Sequence, residues 1–183
     1  MIIGITGNSN SGKEVIANYI SRKGFIYFSL SDLLRKEAYE RNLPKSRDTL
    51  IALGNELREI YGENILASRI LDKIKKDKIK NAVISSIRNP EEIKEFKKNS
   101  DFLLLGIEAK AELRYYRAIK RAREKEDEMT LHEFLLKERG EMTVEKNKQQ
   151  LGVCFKMSDL KIVNDGSIEE LYEKIEELLA KII

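Results

Sequence analysis

A run of seven residues near the start of the chain, GNSNSGK, constrains the fold more than any other feature of the sequence. It spans positions 7–13 and fits the pattern G-x-x-x-x-G-K. The apolar run 2–6 before it is typical of a short buried strand, and 14–20 after it has the spacing of an amphipathic helix. Glycines at this junction allow a tight loop whose backbone N–H groups converge on an anion, and the helix adds its positive N-terminus. Because pattern, position and flanks agree, the run predicts a loop that binds the phosphates of a nucleoside triphosphate rather than a chance turn.

The predicted nucleotide site contains the loop and the residue that follows it. The position after the loop lysine is usually Ser or Thr, whose hydroxyl binds Mg²⁺, whereas this chain has Glu14. A carboxylate can bind Mg²⁺ directly or through water, but an acid in the first turn of a helix is also favoured by the helix dipole. Both interpretations of Glu14 stay open. The residues assigned to the nucleotide here are Gly7, Asn8, Ser9, Asn10, Ser11, Gly12, Lys13 and Glu14.

Composition narrows the class of protein. A length of 183 residues is enough for one well-packed domain and too short for two, so we expect a single domain over 1–183. The net charge of +3 argues against nucleic acid as the main ligand. A single cysteine and the absence of a signal peptide or long apolar run lead us to expect a cytoplasmic protein without membrane association. The oligomeric state is left open, a homodimer included.

Strands and helices alternate along the chain, which predicts an α/β fold. Five strands joined by helices indicate a doubly wound five-stranded parallel sheet of the P-loop NTPase type, with the ligand crevice at the carboxyl ends of the strands. We expect a helix over 29–41 capped by Ser31 or Asp32, and another from 130 to about 146. The segments 30–78 and 111–146 are too long for simple crossovers and are the predicted acceptor-binding and lid inserts. The predicted strands are 1–6, 25–28, 82–85, 102–107 and 160–163.

Arginines occur where a kinase of small molecules would need them, because phosphoryl transfer between two anionic ligands requires positive charge on several sides. Arg88 directly follows the third predicted strand and should emerge at the crevice. Arg114, Arg117 and Arg121 are spaced i, i+3, i+7 and share one helix face. That face is either a lid over phosphates or a solvated basic surface, and the phosphate-binding loop in the same chain favours the lid. In the other insert, the candidate contacts of an acceptor are Asp32, Arg35 and Arg58.

Over nearly its whole length the sequence resembles the nucleoside monophosphate kinase-like group of phosphate-loop kinases, especially archaeal adenylate-kinase-related, dephospho-CoA kinase-like and deoxynucleoside monophosphate kinase proteins. The resemblance implies ATP as donor and Mg²⁺ as cofactor. It further implies that the arginine after the third strand, Arg88, contacts the acceptor phosphate. The lid arginines that contact the donor would be Arg117, Arg121 and Arg123. The motifs that carry the resemblance are GNSNSGK at 7–13, LGNELR at 53–58, VISSIRNPEE at 83–92, LRYYR at 113–117 and IVNDGSIEEL at 162–171.

The sequence departs from that family at the expected metal site. Such kinases often have Asp at the end of the third strand, where this chain has Ser85 and Ser86. With Glu14 these serines are the candidate metal ligands, and Glu91 or Glu92 could supply a further carboxylate. We therefore expect ATP-dependent phosphoryl transfer to a nucleoside monophosphate or similar small phosphorylated acceptor. The alternative is a nucleotide-binding regulatory or assembly protein with weak or no kinase activity.

Overall fold

A five-stranded parallel sheet forms the centre of the computed structural model, which describes residues 1–99, 101–121, 130–142 and 144–182. The strand order is β2-β3-β1-β4-β5, so the chain adds strands to one side of β1 and then to the other. This change of direction places a crevice at the carboxyl end of β1. The predicted α/β fold is thus confirmed. The strands are β1 (Ile2–Thr6), β2 (Ile26–Ser29), β3 (Ala82–Ile87), β4 (Phe102–Glu108) and β5 (Leu160–Val163).

Helices cover both faces of the sheet. Three of them, α2 to α4, connect β2 to β3, and another three, α6 to α8, lie between β4 and β5. No helix among the described residues combines the length and the apolar character needed to cross a lipid bilayer. The helices are α1 (Lys13–Arg22), α2 (Leu30–Glu40), α3 (Arg47–Tyr61), α4 (Ile65–Lys76), α5 (Pro90–Lys97), α6 (Ala111–Arg121), α7 (Leu131–Gly140), α8 (Leu151–Lys156) and α9 (Ile168–Leu179).

The core has two layers because successive side chains of a strand point to opposite faces of the sheet. In β1, Ile3 and Ile5 belong to the layer under α1 and α9, where they join residues such as Ile16 and Ile175. Ile2 belongs to the opposite layer, which α2 to α5 and α8 cover. The central strands β1 and β4 are therefore almost entirely apolar, as is common in parallel sheets, whereas the edge strand β5 is mostly exposed.

Two helix boundaries differ from the sequence prediction. The cap of α2 is Ser29 rather than Ser31 or Asp32, so the helix follows β2 without a loop. The helix α7 ends at Gly140 rather than near 146, and the chain then forms an antiparallel bridge between Met142 and Gln150. The sequence analysis also missed α8. These differences matter because the residues after α7 reach the candidate site.

A buried carboxylate joins three of these elements. Glu92 is fully buried, and its Oε1 accepts hydrogen bonds from Arg58 Nε and Nη2 at 3.2 and 2.8 Å. Its Oε2 accepts from the backbone N–H groups of Arg88 and Asn89 at 2.9 and 3.1 Å. The latter bond completes a capping box at the start of α5. Glu92 therefore ties α3, the end of β3 and α5 together.

We expect Glu92→Met to lower the free energy of unfolding by about 3 kcal/mol or more, because it leaves the buried Arg58 cation without its counter-ion. Urea denaturation followed by circular dichroism measures the loss. The matched control is Glu91→Met, since Glu91 is half-buried and its ion pair is with the exposed Lys94; that change should cost under about 1 kcal/mol. Equal losses in both variants would contradict the assigned role.

Candidate functional site

The backbone conformation of the loop between β1 and α1 depends on the glycines at its two ends. Gly7 and Gly12 have φ angles of 138° and 104°, which L side chains rarely adopt. A Cβ atom at Gly7 would overlap the carbonyl oxygen of Ile107, and one at Gly12 would overlap the side-chain amide of Asn164. Asn164 also donates from Nδ2 to the Ser11 carbonyl at 2.8 Å. The end of β5 therefore holds the loop against the N-terminus of α1.

Lys13 is the first residue of α1 and is buried at the floor of this loop. Its Nζ donates a hydrogen bond to the Asn8 carbonyl at 2.5 Å, so the side chain folds back under the loop. Burial, followed by the positive charge of Arg88, lowers the pKa of Lys13 to about 7. Burial disfavours the charged form of the amine. An anion beside Nζ would stabilise that form and so raise the pKa again.

A cavity of about 690 Å³ opens in front of the loop, a size within the range of about 300–1,000 Å³ for small-molecule sites. Among the described residues that line it, eight side chains are cationic and one, Glu14, is a carboxylate. Leucines and an isoleucine of α2, α3 and α4 form the apolar part of the lining. The cationic residues are Lys13, Arg35, Lys45, Arg47, Arg58, Arg88, Arg117 and Lys120.

A bulge at the end of β3 separates the two serines that the sequence placed together. Gly4 of β1 is paired with Ile84 and Thr6 with Ile87, so β3 has one residue more than β1 in this interval. Ser86 takes a left-handed conformation with φ 66° and lines the cavity. Ser85 is fully buried and its hydroxyl shares a hydrogen bond of 2.9 Å with Tyr27. The structure thus brings Ser86 to the site and leaves Ser85 outside it.

Arg88 leaves the carboxyl end of β3 and enters the cavity, as the sequence predicts for its position. Its Nη1 donates to Gln149 Oε1 at 2.9 Å and lies 3.6 Å from Glu141 Oε2. Burial, partly offset by Glu141, lowers the pKa of the guanidinium from its ordinary value, although arginine stays protonated in proteins. On the other side of Glu141, Arg47 donates to Oε1 from Nε and Nη2 at 2.9 and 2.5 Å.

The three residues predicted to contact an acceptor have different environments. Arg58 lines the cavity, but two of its nitrogens are engaged by Glu92. Arg35 also lines the cavity and forms an exposed ion pair with Asp32 at 2.5 Å. Asp32 itself is exposed and is absent from the lining among the described residues. Its predicted contact with an acceptor stays a prediction, and its position favours a role as partner of Arg35.

The predicted lid arginines of α6 also have different environments. Arg117 lines the cavity, and its Nη2 donates to the Asn164 carbonyl at 2.9 Å. Arg114 is buried in an ion pair with Glu138 of α7, and its Nε donates to the Ala109 carbonyl at 2.8 Å. It therefore joins α6 to α7 instead of facing a ligand. The side chain of Arg121 and the whole of Arg123 lie outside the described residues.

The donor set for Mg²⁺ is small. No group of three or more His, Cys, Asp or Glu side chains suited to a metal occurs in the described part of the chain. Of the candidate ligands, Glu14 and Ser86 line the cavity, whereas Glu92 binds Arg58 and Glu91 pairs with Lys94. A hydroxyl and a carboxylate suit a Mg²⁺ ion that keeps most of its waters and phosphate ligands, which is how nucleotide-bound Mg²⁺ is usually held.

Three buried donors of the loop and the cavity lining lack hydrogen-bond partners in the described structure. In the ranges that the structure describes, Arg88 Nε, Arg117 Nη1 and Ser11 Oγ are buried and have no hydrogen-bond partner. Buried polar groups normally have partners, and Arg88 and Arg117 both line the cavity. Two cationic side chains of the cavity lining therefore each have a buried donor that no described acceptor satisfies.

Several site residues escaped the sequence analysis. Arg47 and Gln149 lie far from their partners Glu141 and Arg88 in sequence and meet them only through the fold, and Glu141 was placed inside a helix that ends before it. Asn164 falls in the motif IVNDGSIEEL, and its position after the last predicted strand was a signal that could have been used. Lys45 and Lys120 carry no distinctive pattern in a chain so rich in lysine.

Comparison with solved structures shows which fold the chain shares with known proteins. No family model matches it. Among solved structures, a shikimate kinase from Bacteroides thetaiotaomicron has a TM-score of 0.59 at 12% identity, covering 98% of both chains. A shikimate kinase from Aquifex aeolicus has a TM-score of 0.54 at 17% identity, covering 98% of this chain and 96% of the other. These likenesses show a P-loop kinase fold.

Sequence relatives show the family. A UPF0200 protein of Sulfurisphaera tokodaii is 33% identical over 182 residues, which cover 100% of this chain and 97% of the relative. The agreement thus extends from the phosphate-binding loop to the last helix. The chain belongs to the UPF0200 family.

Proposed function

We propose that this protein transfers a phosphoryl group from ATP to a small acceptor that already carries phosphate, a nucleoside monophosphate or a chemically similar ester. The observation that carries the proposal is one cavity that both the loop and the arginines Arg88, Arg47 and Arg35 line. Two anionic ligands can meet in such a space, with positive charge on both.

The chemistry of the lining favours a phosphate as the attacking group. An alcohol acceptor needs a nearby base to take its proton, and the one carboxylate among the described lining residues is Glu14, which belongs to the loop. A phosphate monoester is already ionised at neutral pH and attacks through an anionic oxygen. It therefore needs cations and orientation rather than a base, which is what the cavity offers.

The donor end would work as follows. The loop amides and Lys13 would hold the β- and γ-phosphates, and Arg117 would close on them from α6. Mg²⁺, held by Glu14, by Ser86 or by their waters, would neutralise charge on the phosphates when bound. At the acceptor end, Arg88 would bind the acceptor phosphate, and the apolar part of the lining would receive a flat ring such as a nucleobase. This part consists of Leu30, Leu34, Leu50, Ile51 and Leu66.

One observation favours the alternative of a nucleotide-binding regulatory or assembly protein. Ser85 faces Tyr27 instead of the cavity, so Ser86 and Glu14 are what remains of the predicted metal ligands. A weakly held Mg²⁺ would slow transfer without preventing ATP binding. The two functions therefore differ in turnover and not in nucleotide affinity.

The decisive experiment is an acceptor panel. The purified protein, ATP and Mg²⁺ are incubated with nucleoside and deoxynucleoside monophosphates, phosphorylated pantetheine compounds and, as alcohol acceptors, shikimate and simple sugars. Mass spectrometry then detects products that have gained one phosphoryl group. We expect product from at least one phosphorylated acceptor. ATP binding with no product from any acceptor would support the regulatory alternative, and product from the alcohols alone would contradict the acceptor class.

We expect ATP binding to be coupled to proton uptake by Lys13. At pH 8.5 the triphosphate is fully ionised, whereas Lys13, with a pKa of about 7, is mostly neutral. Bound phosphates should raise this pKa, so the complex takes up close to one proton, and affinity falls as the pH rises above 7. Calorimetry in two buffers of different ionisation enthalpy gives the number of protons. Lys13→Arg, which keeps the charge but does not titrate, should abolish the uptake; uptake that persists would contradict the assignment.

Replacing Arg88 by lysine should impair acceptor binding while sparing ATP. Lysine keeps the charge but loses the planar fork that binds two phosphate oxygens, so the KM for the acceptor should rise about tenfold or more. The KM for ATP should change little. Steady-state kinetics with the best acceptor from the panel measures both constants. An unchanged acceptor KM together with a lower melting temperature would make Arg88 a structural residue.

A further inference from the structure

Glu141 lies behind the acceptor end of the cavity and contacts two of its arginines. It follows α7 directly, and its side chain is almost fully buried. One carboxylate oxygen accepts two hydrogen bonds from Arg47, and the other lies 3.6 Å from Arg88 Nη1. Arg47 begins α3 and Arg88 follows β3. A single carboxylate thus bridges three distant parts of the chain.

The position of Glu141 relative to the cavity indicates what it does. Arg47 and Arg88 line the main cavity, and Glu141 does not. Glu141 instead lines a smaller cavity of about 180 Å³, which Arg47 and Gln149 also line. The carboxylate therefore does not stand between the arginines and a ligand. It contacts them from outside the main cavity, and Arg88 Nε has no hydrogen-bond partner in the described structure.

Repulsion between the two guanidinium groups makes such a partner necessary. Like charges a few ångströms apart in a partly buried site repel strongly, and each guanidinium would turn toward solvent if nothing held it. Glu141 offsets that repulsion, and Gln149 gives Arg88 a second fixed contact at 2.9 Å. The two guanidinium groups are then held in place before any ligand arrives, which lowers the entropic cost of binding.

We infer that Glu141 is a positioning residue that holds Arg47 and Arg88 as one phosphate-binding pair, and so makes the acceptor site depend on the segment after α7. The inference rests on the proposed function for the identity of the ligand as an acceptor phosphate. The pairing itself concerns any phosphate oxyanion and is tested with inorganic phosphate.

The sign of the effect separates positioning from simple electrostatics. Glu141→Met removes a negative charge from the surroundings of the bound anion, which on Coulomb's law alone would tighten phosphate binding. If Glu141 positions the arginines, the same change weakens phosphate binding because the pair separates. Glu141→Asp provides a second test, since it keeps the charge but withdraws the carboxylate by one methylene. If Glu141 positions the arginines, this variant also binds phosphate more weakly, whereas electrostatics alone predicts almost no change in the dissociation constant.

The experiment measures the dissociation constant of inorganic phosphate by calorimetry on the full chain. All variants carry Lys13→Met, which weakens the anion site of the loop, and Arg88→Met in this background identifies the binding that belongs to the arginine pair. We expect Glu141→Met and Glu141→Asp each to raise the dissociation constant about tenfold, a usual coupling for charged side chains in contact. The matched control is Glu145→Met, since Glu145 lies in the same segment, is exposed and pairs with Lys148; it should leave the constant unchanged.

Three results would overturn the inference: unchanged or tighter phosphate binding in Glu141→Met, unchanged binding in Glu141→Asp, or no phosphate binding that depends on Arg88. Its failure is distinguishable from failure of the proposed function. If the acceptor panel yields product while the Glu141 variants bind phosphate normally, the positioning role is wrong and the kinase stands. If the panel yields no product but phosphate binding depends on Glu141, the positioning role stands without phosphoryl transfer.

Discussion

Repulsion among like charges is the energetic problem that the arrangement of this site has to solve. Eight described cationic side chains line one cavity with a single carboxylate, and two unit charges 4 Å apart repel by about 4 kcal/mol at an effective dielectric constant of 20. Acids that contact the cations from outside the cavity lining reduce this repulsion. Glu92 lies against Arg58 and Glu141 against Arg47, both on the protein side of the cavity. The lining stays cationic toward a ligand, while Glu92 and Glu141 partly offset that charge from outside the cavity lining.

The same constraint explains the state of the loop lysine. Lys13 has no acid hydrogen-bonded to its Nζ among the described contacts and bonds to the Asn8 carbonyl instead. Burial and the nearby Arg88 charge lower its pKa to about 7, so part of the positive charge is absent until an anion restores it. Arg88 and Arg117 likewise each have a buried donor without a hydrogen-bond partner in the described structure. Groups fixed in advance around the position of a ligand need little reorganisation when the ligand binds.

Local sequence patterns predicted the parts of this protein that local physics determines. The loop is recognisable because glycine, lysine, strand and helix occur within a few residues, and Gly7 and Gly12 have the positive φ angles that such a loop requires. The parallel sheet follows from apolar runs, and the place of Arg88 follows from the strand that precedes it. The bulge at Ser85 and Ser86 was not predictable in this way, because it depends on pairing between β3 and β1 rather than on either strand alone.

The acceptor end was harder to predict because it is made of contacts between distant segments. Arg47 and Glu141 are 94 residues apart, and Arg88 and Gln149 are 61 apart. Arg114 and Asp32 show the opposite case: their sequence positions suggested ligand contacts, but Arg114 pairs with Glu138 and Asp32 pairs with Arg35. The proposed donor site is centred on the contiguous residues 7–13 of the loop, whereas the proposed acceptor site draws on three separate segments. A local pattern therefore predicts the loop, whereas the proposed acceptor site depends on how α3, the end of β3 and the segment after α7 come together.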